Sequence, residues 1–255
     1  MTAALTLPEG ELVLTGRVLP ASNATFVGRV DDVDVVYKPV AGERPLWDFP
    51  DGTLAQREVA GYLVSEALGW NVVPPTWLRD GPHGPGMVQM WRDPDPDQEA
   101  VTLVPTSGVP TGFRHVLDGI DAEGAAVSLV HEDSAPLRRM AVLDVVTNNA
   151  DRKGGHVLEM PDGHRHGVDH GLTFHVEPKL RTVLWGWVGE PLTADELSAV
   201  ERLLGLASGP LGQALASLLT DEEVTAFADR CESLLTTRRF PAPSGDMPAV
   251  PWPPF

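Results

Sequence analysis

The sequence predicts an α+β fold: a smaller N-terminal part made of an antiparallel sheet and one helix, a larger and mainly helical C-terminal part, and a cleft between them. Three observations carry this. Residues 11–40 alternate apolar and polar side chains in short runs separated by turn signals, the period of strands. From residue 100 onward the apolar positions fall mainly at helical spacing. Thr193 with Glu196 and Thr220 with Glu223 have the spacing of capping boxes that open helices.

In order along the chain, Glu11 to Val18, Thr25 to Val30 and Val33 to Val40 read as strands, broken at Pro20–Asn23 and at the acidic turn Asp31-Asp32. After a loop rich in Gly, Pro and aromatic residues, Thr53 with Gln56 predicts a cap for a helix from Leu54 to Leu68, stopped by Gly69. Val59, Leu63 and Ala67 with Tyr62 form its apolar stripe, leaving Glu58 to point another way. Val72 to Leu78, a turn-dense Asp80–Gly86 and a strand from Met87 to Trp91 complete a first domain, 1–92. The second, 93–240, begins with an acidic, Pro-rich stretch. In it Ser134 caps a helix with Leu137, Met140, Ala141 and Val145 inward, running out at Thr147-Asn148-Asn149. Val157 to Met160 and Arg165 to Val168 flank Pro161-Asp162-Gly163 as a hairpin. The tail, 241–255, is rich in Pro and is expected to be extended or mobile.

At 255 residues, 42% of them hydrophobic, the chain can bury a substantial core. No apolar run approaches the roughly 20 residues needed to span a bilayer, and the first residues do not read as a leader, so a cytoplasmic location is expected. The net charge of −17 repels nucleic acid and anionic lipid, and any phosphate must be held by a local positive pocket. Cys231 is the single cysteine. It falls in step with Val224, Phe227 and Leu234 on one helix face, which reads as a packing thiol.

The densest polar stretch is Asn148-Asn149-Ala150-Asp151-Arg152-Lys153-Gly154-Gly155-His156, followed by the hairpin and then by Asp169-His170-Gly171. The hairpin returns Asp169 toward Asp151. Two such carboxylates suit phosphoryl transfer, one orienting and deprotonating an acceptor hydroxyl while the other holds the divalent ion that bridges nucleotide phosphates. Lys38, near the end of the run Val33 to Tyr37, could reach phosphate oxygens from a strand, with Glu58 as its partner. The turn containing Ser22, Asn23 and Thr25 could present hydroxyls and N–H groups to phosphate, although no GxxxxGK[ST] element occurs.

Together these residues resemble the atypical kinase superfamily, in particular small actinobacterial proteins similar to phosphatidylinositol 3- and 4-kinases and to HipA-type kinases. The resemblance runs from about residue 11 to 235. It implies a bilobal fold with ATP in the cleft, Asp151 as the catalytic aspartate, Asp169 as a metal ligand, Lys38 and Glu58 as the phosphate-holding pair, and the backbone of Gln89 and Met90 against adenine. Arg152 or Lys153 would offset charge developing on the transferred group, and Asn149 or His156 would complete the shell of Mg²⁺. The family's Asp-Arg-x-x-x-Asn carries His156 in place of its asparagine. Imidazole suits Mn²⁺ or Zn²⁺ better than Mg²⁺, so the metal preference shifts, one ion is lost, or His156 has another task.

The expected function is ATP- and metal-dependent transfer of the γ-phosphate to a hydroxyl acceptor, protein or small molecule. The alternatives are a nucleotide-binding pseudokinase acting as a scaffold, an AMP transferase, and a hydrolase with a metal held by His156, His164, His166, Asp169 and His170. Each residue also has a plain structural reading. Lys38 fits a solvated edge strand, Glu58 a helix surface, Asp151 and Asp169 turns, and Asn148 and Asn149 a helix end. Trp185-Gly186-Trp187 is either a buried aromatic anchor or a platform for a substrate or partner.

Overall fold

The computed structural model describes residues 7–18, 23–44, 46, 49, 53–244 and 248–255. Five strands form the first sheet: β1 (Leu12–Arg17), β2 (Phe26–Val30), β3 (Val33–Pro39), β4 (Thr76–Gly81) and β5 (Gly84–Met90). Every neighbouring pair is antiparallel, in the order β1-β2-β3-β5-β4. Asp31 adopts a left-handed φ of 53° in the tight turn between β2 and β3, a conformation its short polar side chain tolerates. The alternation along β3 is functionally decisive. Val35 and Tyr37 pack with Leu12, Val30 and Val88 on one face, which sends Lys38 to the other. The turn-dense reading of Asp80–Gly86 is corrected, because β4 and β5 run through most of it.

The helix α1 (Leu54–Leu68) ends at Gly69 in left-handed geometry, as its sequence predicts. Its start differs. Thr53 has φ 62° and its side chain makes no capping hydrogen bond; the Glu43 carboxylate instead accepts from the N–H groups of Leu54 and Ala55, at 3.3 and 2.9 Å. A carboxylate there meets both the unpaired N–H groups and the positive end of the helix dipole. Nor does α1 have a free face for Glu58. Ala55 and Val59 pack on Met87 of the sheet, while Ala60, Val64 and Leu68 enter the main core, so Glu58 is only 2% exposed.

Between residues 101 and 132 the mainly helical expectation fails. β6 (Val101–Pro105), β7 (Phe113–Ile120) and β8 (Ala126–Glu132) form an antiparallel sheet in the order β6-β8-β7. Phe113, Val116, Leu117 and Ile120 have helical spacing in sequence, but a bulge between His115 and Leu117 shifts their register within a strand. The remaining helices follow their signals. Ser134 caps α2 (Ala135–Thr147), accepting from Leu137 N–H at 3.3 Å, and Asn148 ends it with φ 53°. The hairpin β9 (Val157–Glu159) and β10 (Arg165–Gly167) follows. α3 (Ala194–Ala207) and α5 (Asp221–Thr237) open on capping boxes closed in both directions, with α4 (Pro210–Ala216) between them.

Residues of α1, α2, α3 and α5 share the main core, among them Leu68, Met140, Leu203 and Phe227. Cys231 is buried there, and burial pushes its thiol up to about 12, the behaviour of a packing residue. Trp187 is fully buried and donates from Nε1 to Asp133 at 2.9 Å, an anchor. The tail expected to be extended or mobile is tied to the body at two described points. Ala249 accepts from Thr182 N–H at 3.1 Å and from Trp185 Nε1 at 2.7 Å, Pro254 accepts from Gly154 N–H at 2.8 Å, and Pro251 is buried. No helix among the described residues is long and apolar enough to cross a membrane.

Candidate functional site

Lys38 leaves the sheet on the face that α1 covers, and its ammonium meets two carboxylates from distant parts of the chain. Nζ lies 2.7 Å from Glu58 Oε1 and 2.8 Å from Asp169 Oδ1. The second oxygen of Glu58 accepts from His170 N–H at 2.8 Å, so one buried glutamate holds both the lysine and the backbone beside Asp169. Burial alone would lower the Lys38 pKa, but the charges of Asp169 and Glu58 outweigh it and raise the value. The Lys38 charge in turn holds Asp169 well below the usual carboxylate range. Burial pushes Glu58 the other way, against the pull of Lys38. Asp169 takes a left-handed φ of 61° and keeps 51% of its side chain open. Strain of this kind persists where surrounding contacts fix it.

His156 faces the other oxygen of Asp169, with Nε2 3.5 Å from Oδ2. Its Nδ1 accepts from Lys153 N–H at 3.5 Å, which assigns the proton to Nε2, the nitrogen nearer the carboxylate. Burial lowers its pKa to about 4, so the ring is neutral at physiological pH. The ring therefore stands beside Asp169 without a positive charge of its own.

Asp151 stands at the head of the loop, partly open to solvent, with its backbone N–H held by Asn149 Oδ1 at 3.0 Å. Burial raises its carboxyl above the ordinary range, Asp169 adds to the rise, and Lys153, with Nζ 3.5 Å from Oδ2, opposes it. A raised carboxyl is a stronger base. The loop rests on a buried hub that the sequence reading missed. Asp144 of α2 accepts from Arg152 Nη2 and Asn149 Nδ2, both at 2.9 Å, and from Thr182 Oγ1 at 3.3 Å. Arg152 also contacts His170 Nε2 at 2.6 Å and donates to Val168 O at 3.0 Å. It is fully buried, so its expected contact with a transferred group is corrected: it ties the two acidic loops together from beneath. Asn149 is likewise fully buried and spent at both ends. The available signal was Asp144 itself, an acid on the apolar stripe of its helix.

The remaining expected residues separate. Asn23 Oδ1 accepts from Arg44 N–H at 3.0 Å, tying its turn to the segment after β3, and Thr25 Oγ1 donates to Asn23 O at 3.3 Å within the turn; Ser22 lies outside the described residues. Gln89 is buried and donates to Thr76 at 2.8 Å, and the Met90 N–H is taken by Pro75 O at 2.9 Å, leaving that amide committed within the protein. The histidines do not converge. His164 and His166 turn to the carbonyls of Asn71 and Val72, at 2.8 and 3.2 Å, His170 lies on Arg152, and His156 on Asp169. Among the described residues no three His, Cys, Asp or Glu side chains gather as a metal cage.

No known family profile matches the chain. Among solved structures, it is similar to the Helicobacter pylori proinflammatory kinase CtkA, with a TM-score of 0.48 and 11% identity over 91% of this chain and 93% of that one. It is also similar to a chain of the Shewanella oneidensis MR-1 toxin–antitoxin complex of HipA, HipB and operator DNA, with a TM-score of 0.37 and 12% identity over 92% and 72%. In sequence it is 50% identical over 262 residues to Protein Rv2133c of Mycobacterium tuberculosis (strain ATCC 25618 / H37Rv), covering 98% of this chain and 94% of that protein. With half the positions shared over nearly the whole of both chains, the protein belongs to the family of Protein Rv2133c.

Proposed function

We propose that the protein is an ATP- and metal-dependent phosphotransferase of the atypical kinase type, passing the γ-phosphate to a hydroxyl acceptor. The observation that carries this reading is Lys38, held 2.7 Å from Glu58 and 2.8 Å from Asp169 by three elements remote in sequence. An ammonium fixed by a buried glutamate beside a strongly acidic, half-open carboxylate is equipped to hold phosphate next to a cation. Asp169, with half of its carboxylate open to solvent, would hold one divalent ion. Such an ion would supply charge neutralisation across the phosphates. His156 would keep Asp169 in register, and Asp151 would orient the acceptor and take its proton as the hydroxyl oxygen bonds to phosphorus and ADP leaves. Lys153, beside Asp151, would face the growing charge in place of the buried Arg152.

A second reading is a nucleotide-binding scaffold without turnover. It is favoured by the groups already beside Asp169, the Lys38 ammonium at one oxygen and the His156 ring 3.5 Å from the other, and by the commitment of Asn149 within the loop. Calorimetry of ATP binding with Mg²⁺ and with Mn²⁺, run beside a labelled γ-phosphate assay, separates the two. The phosphotransferase predicts metal-dependent binding lost in Asp169→Asn, and turnover reduced about a hundredfold or more in Asp151→Asn with binding retained. Binding without turnover in the unaltered protein would establish the scaffold. Absence of nucleotide binding with either metal would end both readings.

A further inference from the structure

A cavity of about 490 Å³ opens where the end of α2, residues 176–185, α5 and residues 239–244 meet. None of Lys38, Glu58, Asp151 and Asp169 lines it. Its volume is that of a small-molecule site. Val145, Leu180, Trp185 and Phe240 give it an apolar wall, and Arg230 of α5 stands among them. Arg230 Nε donates to Val146 O at 2.9 Å and Nη1 to His175 O at 3.2 Å, but Nη2 is buried without a hydrogen-bond partner. Tying α2 to the 175 segment accounts for two of these nitrogens and leaves the third unexplained. A buried donor left unpaired is costly, and a charged one more so. Burial draws the Arg230 pKa down to about 10, with Cys231, Asp229 and Glu223 only partly offsetting it. In a chain of net charge −17, a cation so weakly compensated stands out.

We infer that this cavity binds an amphipathic monoanion, an acyl or aryl acid whose head meets the Arg230 guanidinium and whose body lies on Val145, Leu180 and Phe240. Exposed Asp229 and Arg239 both stand in the lining and offset each other, which leaves Arg230 as the charge that a single negative head would meet and favours a monoanion over a phosphate ester. The inference is independent of the nucleotide reading, since the two sites share no residue.

The test uses the fluorescent anion 8-anilinonaphthalene-1-sulfonate, its uncharged relative N-phenyl-1-naphthylamine, and dodecanoate as competitor, on the full chain in saturating ATP and Mg²⁺. Two variants divide the possibilities. Arg230→Met removes the charge, and Ser233→Trp fills the cavity from an exposed position while leaving the Arg230 bonds in place. The expected result is one saturable site for the sulfonate, emptied by dodecanoate and weakened at least about tenfold in each variant. The uncharged probe should bind the unaltered protein and Arg230→Met alike. Equal sulfonate binding by the unaltered protein and Ser233→Trp, or tighter binding of the uncharged probe, would overturn the inference. So would sulfonate binding that appears only when ATP is withheld, since it would then occupy the nucleotide site.

Discussion

At the scale of the residue, the site depends on charges buried beside their partners. Removing Lys38 leaves Glu58 ionised and shielded from water, so Lys38→Met is expected to lose about 3–5 kcal/mol of unfolding free energy near neutral pH. Burial raises Glu58, and a carboxyl raised in the folded state costs stability when ionised. The loss in Lys38→Met should therefore shrink as pH falls and Glu58 takes a proton, as urea titrations over a pH series would read. Asp169 behaves in the opposite sense. Its folded pKa is depressed chiefly by Lys38, so its contribution is present above the ordinary carboxylate pKa of about 3.9 and disappears only as pH falls below that. The stability difference between the unaltered protein and Asp169→Asn should accordingly be flat through neutrality and decline only below about pH 4.

At the scale of the element, the tail acts as a strap between the loop before His156 and residues 182–185. Pro254 holds Gly154, two residues before His156, while Ala249 holds Thr182 and Trp185. Phe255 lies against Gly154 so closely that an added Cβ would stand 2.4 Å from its ring, which explains why glycine occupies that position. Gly154-Gly155 is otherwise a loose pair, because glycine loses the most backbone freedom on ordering. Gly154→Ala should therefore displace the end of the strap and speed amide exchange at residues 153–156. Adding Phe255→Ala should restore much of the protection by making room; unchanged exchange in Gly154→Ala would show that the loop is ordered without the strap. The helix α1 carries a smaller dependence of the same kind. With Glu43→Ala its first N–H groups lose their acceptor, and thermal unfolding should report a loss of about 1 kcal/mol.

At the scale of the whole molecule, the charge of −17 sets how an anionic ligand approaches. Long-range repulsion slows the encounter and is screened by salt. If ATP is the ligand, its association rate should rise between about 0.01 and 0.15 M ionic strength. A rate that falls instead would reveal a local positive field strong enough to override the net charge. Stopped-flow fluorescence from the seven tryptophans would follow it.

The sequence by itself determined the antiparallel strands of residues 12–39, the extent of α1 and α2, both capping boxes, and the order in which Lys38, Glu58, Asp151 and Asp169 occur. These depend on short-range periodicity, capping spacing and glycine stops, which are written locally. Only the tertiary structure decided the rest. Whether Arg152 and Asn149 touch a substrate depends on Asp144, which buries and consumes them; whether Glu43 or Thr53 caps α1 depends on how the preceding loop folds back. β7 was hidden because its apolar positions have a helical spacing that only the bulge reconciles with a strand, and the tail read as extended or mobile because its partners, Gly154, Thr182 and Trp185, are distant in sequence. In each case the deciding contact is between residues far apart in the chain, and burial rather than residue type assigns the role.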